Sequence, residues 1–320
     1  MEDNSTYVNA LANEIREKYP KRYSLHGHKE EFYQLIKKEV ENLDLEIEVR
    51  PRDFIQNICT QNDDFDILLM AHYDTAPKLP LSRFINSIYE KVGVGNWRTY
   101  IGYFLYYVII IGLNVSVLWL LNSWFSHVWF FIYIVGFIIF FFLRANPNNM
   151  NDNSSGVIAV LTIAKILCSS DKNIMKHIKI VLTDFEEWGK HGAKKLRREL
   201  LTKGLENRLI INFDGVGNGT FLNLVPISKD NLLRKYLLDN YPGKYRVIEE
   251  KVIAGSDYDV FKAYNAIGIN FLEMAQIQGK YYMPNIHTSR DIEINEKQLA
   301  EFTNDVAQFL ISYIKEIRKV

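Results

Sequence analysis

Cysteine is scarce: Cys59 and Cys168 are the only two in 320 residues. Two thiols make neither a disulfide scaffold nor a zinc ribbon. Each stands beside apolar residues and reads as a small hydrophobe in a reducing compartment. Net charge is missing as well, because Lys+Arg and Asp+Glu number 38 each. That balance leaves no basic excess to follow a phosphate backbone and argues against a nucleic-acid partner. Residues 1–20 are polar and charged, so no cleavable signal peptide is expected. Internal repeats and low-complexity tracts are absent.

The sharpest absence is local. Residues 101–143 contain no Asp, Glu, Lys or Arg. A membrane span needs about 20 apolar residues. This run holds two such lengths, 100–121 and 124–143, divided by Asn122-Ser123 and Ser126-His127. Trp97, Trp119, Trp124 and Trp129 supply interfacial aromatics. Residues 100–143 therefore read as a transmembrane helical hairpin. The alternative is a buried helical pair, which the unbroken Phe137-Ile-Ile-Phe-Phe-Phe-Leu143 disfavours. Arg98 and Arg144 bracket the hairpin, with Arg83 and Lys91 nearby, and the far loop 122–127 has no Lys or Arg. Positive flanks stay in the cytoplasm. The expectation is a multi-pass membrane protein with two spans and the rest of the chain cytoplasmic.

Outside the hairpin, helical and strand patterns alternate. Residues 6–18 and 28–42 have helical periodicity, 45–49 and 54–59 read as strands, and 65–71 is a mostly apolar strand. Pro77, Pro80 and Gly93 mark a loop leading to the hairpin. After it, residues 156–168 form an amphipathic helix with Ser154 or Ser155 as N-cap. Strands follow at 178–183, 208–213, 220–225, 245–251 and 267–273. Helices are expected at 193–203, 229–240, 256–264 and 296–317, and a loop at 281–291. This order predicts a three-layer α/β/α sandwich around a mixed, largely parallel sheet. The hairpin is an insertion in one discontinuous domain, 1–99 and 144–320.

Chemistry-bearing residues recur at strand ends, where open α/β sheets place their sites. The apolar run Lys179-Ile-Val-Leu-Thr-Asp-Phe-Glu-Glu-Trp-Gly189 ends in Asp184, Glu186 and Glu187. Crowded carboxylates repel and are costly to bury. A multivalent cation offsets that cost; the bland alternative is a solvated acidic turn. His72 and Asp74 follow one strand and Asp214 another. Asp152 lies in Ala145-Asn-Pro-Asn-Asn-Met-Asn-Asp-Asn-Ser-Ser-Gly156, too rich in Asn and Ser for regular structure. His287 sits in the last long loop. Each piece alone is weak, since His-x-Asp is usually incidental and Asp-Gly after a strand is usually a turn. Together, His and carboxylates without thiolate suit zinc or a similar divalent ion.

The ordered set His72-Tyr-Asp74, Asp152-Asn-Ser-Ser-Gly156, Glu186-Glu187, Asp214 and His287-Thr resembles the M28 family of zinc aminopeptidases. The resemblance covers about 54–320 without the hairpin, and every metal-ligand position is filled. It implies two zinc ions bridged by Asp152. His72 and Asp214 would complete one site, Glu187 and His287 the other. Glu186 would be the general base, and the peptide Asp152–Asn153 would be cis. The chemistry agrees: paired divalent ions acidify a bridging water and clamp a tetrahedral oxyanion. Asp74, two residues from His72 on an extended segment, can accept the imidazole N–H. Two positions depart from the family pattern. Phe185 stands where Gly commonly precedes the Glu pair, and Ser256-Asp-Tyr258 stands where Ser-Asp-His is often found. Tyr258 is a candidate oxyanion donor, as are Tyr281 and Tyr282.

The implied function is a membrane-anchored di-zinc aminopeptidase acting on peptides. One rival is a glutaminyl-cyclase-like acyltransferase with one zinc, disfavoured by the short stretch 187–193. The other is a non-enzymatic membrane receptor or scaffold, disfavoured because no ligand is missing.

Overall fold

The computed structural model describes residues 4–23, 29–49, 54–78, 82–93, 145–226, 232–250, 255–262 and 264–318, with isolated positions between 108 and 136. Helices α1 (Asn4–Lys18) and α2 (Lys29–Glu41) open the chain. Strands β1 (Ile47–Val49), β2 (Ile58–Thr60) and β3 (Ile67–His72) follow, then helix α3 (Ser82–Val92). After the insertion come α4 (Ser155–Ser170), the one-turn α5 (Lys172–Met175), β4 (Ile178–Thr183) and α6 (His191–Thr202). The rest is β5 (Leu209–Phe213), β6 (Phe221–Pro226), α7 (Leu232–Asn240), β7 (Arg246–Ile248), β8 (Asn265–Met274), β9 (Tyr281–Tyr282) and α8 (Glu296–Arg318).

The strand order is β1-β2-β4-β3-β5-β8-β6-β7, with β9 paired to β8. The run β4-β3-β5-β8 is parallel throughout. Parallel strands are covered on both faces and so read as continuous apolar runs, which is how 67–71 and 180–182 look; Lys179 departs from this and carries its Nζ to the Asn62 carbonyl and Asp63. Their side chains alternate between two cores. Ile67, Leu69 and Ala71 join α1, α4 and α8 on one face, and Leu68 and Met70 join α6 on the other. That alternation makes the three layers. The sheet is mixed, as expected: outside this parallel run β1, β2, β6 and β9 pair antiparallel with their inner neighbours.

Local differences have physical causes. The stretch read as a loop before the hairpin contains α3. Gly93, with φ +74°, follows its last turn, as Gly does in left-handed C-caps. Ser154 makes no capping hydrogen bond, because the chain enters α4 through an irregular wide turn, Met150–Ser154. Its hydroxyl instead donates to the Asn149 carbonyl and accepts from Arg22. The helix expected at 256–264 is one 3-10 turn, Asp257–Phe261. The expected loop 281–291 begins with β9.

Most of the expected hairpin, 100–143, lies outside the described residues. The positions described there are helical, and Ile109, Leu113, Trp119 and Phe131 among them are exposed. Among the described residues one helix is long and apolar enough to cross a bilayer, Met150–Ser170. It is 72% buried within the fold and is the central core helix. The insertion leaves and returns at one point. Asn146 N–H donates to the Ala76 carbonyl at 2.9 Å, and Pro77 bridges Ala145 antiparallel.

Candidate metal centre

The carboxyl ends of β3, β4 and β5 lie side by side, with His72 in register with Thr183. Residues following each strand therefore converge. His72 Nε2 lies 3.1 Å from Asp152 Oδ1 and 3.6 Å from Asp214 Oδ1. His287 Nε2 lies 2.8 Å from Asp152 Oδ2 and 3.2 Å from Glu187 Oε2. Two groups result, His72–Asp152–Asp214 and Asp152–Glu187–His287, each with ligand atoms within 4.8 Å of one another. Asp152 belongs to both and turns one oxygen to each.

The Asn-rich loop explains how Asp152 and Asp214 are held. Asn153 Nδ2 donates to the Phe213 carbonyl at 2.9 Å. The three amides after Asp214 are then taken in turn: Gly215 by Asn153 Oδ1, Val216 by Ser155 Oγ, and Gly217 by Asn151 Oδ1. A Cβ at Gly156 would come within 2.3 Å of Asn153 Oδ1 and 2.4 Å of the Phe213 carbonyl, so only glycine fits. The Asp152–Asn153 peptide is cis.

The three carboxylates after β4 part company. Asp184 turns into the protein, with Lys29 Nζ 2.6 Å away, and accepts from the Gln56 and Phe185 amides. Burial, then the charge of Asp74, pushes its carboxyl up to about 6. Glu187 enters a ligand group. Glu186 enters neither. Burial pushes the Glu186 carboxyl well above its usual range; His72 opposes this, and Asp257, Glu187 and Asp214 add to it.

Asp74 sits beside His72, but its carboxylate has another task. Its two oxygens accept from the Glu186 and Glu187 amides at 3.1 and 3.3 Å. His72 Nδ1 is nearer the Asp74 carbonyl, at 3.2 Å, than its carboxylate, at 3.5 Å. Both the main chain and the carboxylate of Asp74 thus lie beside the imidazole, and the carboxylate also sets the register of the Glu pair.

Phe185 has φ +57°. A left-handed backbone costs an L-residue about 1–2 kcal/mol and nothing comparable for glycine, which accounts for the expected glycine here. The Phe185 ring lies 5.1 Å from Lys29 Nζ, in the same cluster as Asp184. Tyr258 lies against the backbone of Gly268. Its hydroxyl is enclosed and has no partner among the described residues, so action on a substrate oxyanion requires it to be uncovered. Tyr281 and Tyr282 are half-buried in β9, with the Tyr281 ring edge-on to Phe221.

Three residues of the site escape sequence reasoning. Asp291 is buried and accepts from the Asn151 and Asp152 amides at 2.7 and 3.0 Å, and burial pushes its carboxyl up to about 7. Arg22 is fully buried and donates to the carbonyls of Tyr73 and Tyr19 and to the Ser154 hydroxyl. Burial lowers its guanidinium to about 10, against the pull of Asp74, Asp291 and Asp152. Asp257 is buried, accepts from the Thr183 hydroxyl, and is pushed by burial up to about 7. Arg22 and Asp291 lie in no local pattern and hold main chain from distant segments; Asp257 sits in the Ser256-Asp-Tyr258 stretch, where nothing local shows its contact with Thr183.

The donor set fits divalent cations. Asp152, Asp214, Glu186 and Glu187 face two imidazoles, an excess of negative charge that a cation offsets. Glu187 Oε1 is buried without a hydrogen-bond partner among the described residues. Without a cation, burial disfavours the charged Asp152 carboxylate, but His287 and His72 override it and hold the group well below its usual range.

Residues 140–310, more than half of the chain, match the pattern of peptidase family M28. No curated protein sequence matches. Solved structures share the fold. LapA aminopeptidase of Legionella pneumophila is 14% identical with a TM-score of 0.63, over 96% of this chain and 70% of that one. Porphyromonas gingivalis glutaminyl cyclase is 15% identical with a TM-score of 0.64, over 98% of each chain. A Zn-dependent exopeptidase from Parabacteroides distasonis is 13% identical with a TM-score of 0.60, over 97% of each.

Proposed function

Because the chain belongs to peptidase family M28, we propose that it is a membrane-anchored aminopeptidase working with two zinc ions. The observation that carries this reading is the pair of ligand groups sharing Asp152, each of its oxygens turned to a different histidine. His72, Asp152 and Asp214 would hold one ion, and Asp152, Glu187 and His287 the other. Bound there, the ions supply Lewis acidity to water and to the scissile carbonyl. Glu186, outside both groups, takes the proton of the attacking water and returns it to the leaving amine. Asp74 keeps Glu186 and Glu187 in register through their amides. The solved structures that share the fold include an aminopeptidase and a Zn-dependent exopeptidase, which supports removal of N-terminal residues from peptides.

The test uses the full chain in detergent. Metal analysis is expected to find two zinc ions per chain, and mass spectrometry of a peptide digest is expected to find released amino acids. Ammonia release from N-terminal Gln without hydrolysis would replace this reading with cyclisation. A chain that binds no divalent ion would point to a scaffold.

The anchor rests on the charge-free run 101–143 and its arginine flanks. The positive flanks put the catalytic domain, 1–99 with 144–320, on the cytoplasmic side. Protease added outside intact spheroplasts should spare that domain. Its cleavage there would reverse the orientation.

A further inference from the structure

Helix α3 lies beyond the neck at Ala76–Pro77 and Ala145–Asn146, on the segment that leads to the hairpin, and packs back on the body of the catalytic domain. Its C-terminal carbonyls are taken by that domain: Gln276 N–H donates to Glu90 at 2.9 Å and Ile277 N–H to Lys91 at 3.1 Å. At Gly93 a Cβ would come within 2.5 Å of Lys280 Cβ. Tyr89 is buried in the contact.

One turn earlier, α3 grips the loop that carries His287. Arg83 donates through Nε and Nη2 to the Ser289 hydroxyl at 3.0 and 2.5 Å. Asn86 Oδ1 accepts from the Asn285 amide at 3.3 Å. Arg83 and Asn86 are three residues apart, so both lie on one helix face. Their partners stand two residues after and two residues before His287. The loop needs an outside hold, because Asn285 and His287 both have left-handed backbones, with φ +59° and +56°. Such conformations persist in non-glycine residues only where surroundings enforce them.

We propose that Arg83 and Asn86 are positioning residues for the second metal site. Through them the segment leading to the hairpin fixes His287 against Asp152 and Glu187. Among the described residues no hydrogen bond or ion pair joins α3 to His72 or Asp214, so the site nearer β3 is held without it. The segment that leads to the hairpin then does more than connect: its helix holds the loop that carries a ligand of the second site. This rests on the two-ion reading for its metal readout, and the loop measurement below does not.

The test compares the full-length chain with Arg83→Ala, Asn86→Ala, the double variant and the control Lys91→Ala, whose side chain is exposed on the same helix. Zinc is titrated against a competing chelator, and cobalt substitution follows each site by its visible spectrum. Partners that orient a metal ligand change affinity by about 10–100-fold. The double variant is expected to weaken one of the two binding steps by that factor, leaving the other step and the control unchanged. In the metal-free protein, amide exchange across residues 285–289 is expected to rise while the β3 and β4 amides keep their protection. Two unchanged affinities and unchanged loop exchange in the double variant would overturn the proposal. So would equal weakening of both steps with a lowered melting temperature, since that is general destabilisation. If the wild-type chain binds no zinc, the two-ion reading fails, and raised loop exchange still decides whether α3 holds the loop.

Discussion

Asp152→Asn is expected to leave at most one zinc per chain and to lower kcat/KM by about 10³-fold or more. The argument is one of acceptor count. The two Asp152 oxygens serve different groups, Oδ1 toward His72 and Oδ2 toward His287. Asparagine offers one acceptor oxygen and an NH₂ that donates. Whichever way its amide turns, one group loses a ligand and faces a donor instead. Folding should survive, because the hydrogen bonds of this loop run through the Asp152 amide, Asn151, Asn153 and Ser155 rather than the Asp152 carboxylate. A ligand at 100 times its Kd stabilises a fold by about 2.7 kcal/mol. The zinc-induced rise in melting temperature should therefore shrink in the variant. Two zinc ions and wild-type turnover in Asp152→Asn would dismiss Asp152 as the shared ligand.

What could be read from the chain, and what could not, divides along sequence distance. The parallel strands were legible because burial on both faces leaves an apolar run, and that run has a sharp polar end. His72, Glu187 and Asp214 were legible as neighbours for the same reason, since the sheet aligns the ends of β3, β4 and β5. The Asn-rich loop read as irregular, but its purpose did not show. Asn151, Asn153 and Ser155 are there to receive the three amides after Asp214, some sixty residues away. Asp291 and Arg22 were illegible for the same reason: each holds main chain from a distant segment, and neither lies in a local motif. Helix α3 stands where a loop is expected, although its signals are in the sequence. Proline before and glycine after a segment punctuate a loop and also bracket a helix. Between them Leu81, Phe84, Ile85, Ile88, Tyr89 and Val92 keep helical spacing, beside an apolar run whose signal is far stronger. The difference matters for reach. An extended 78–99 would hold the site far from a bilayer, whereas eleven residues of it are helical and span about 16 Å.

Glu186→Gln should lower kcat by about 10²-fold or more while both zinc ions and KM stay near wild type. Three observations converge on this residue. It follows β4 between Asp184, which is committed to Lys29, and Glu187, which stands with Asp152 and His287. It belongs to neither ligand group, so its oxygens are available to a proton. Its backbone amide is pinned by Asp74 Oδ1 at 3.1 Å, so its place beside Glu187 is fixed by a contact that the substitution leaves intact. Glutamine keeps the shape of the side chain but cannot take a proton from water and hand it to an amine. The loss therefore belongs in kcat, the step where the proton moves. Glu187→Gln separates the two roles, since it alters a ligand and should weaken zinc binding before it slows turnover at saturating metal. Asp74→Asn adds a third signature: one oxygen becomes a donor facing an amide, which disturbs the register of both glutamates and should affect kcat and zinc affinity together. If Glu186→Gln turns over normally with full metal, the base is another group; Asp257, buried nearby and pushed by burial up to about 7, is then the next to substitute.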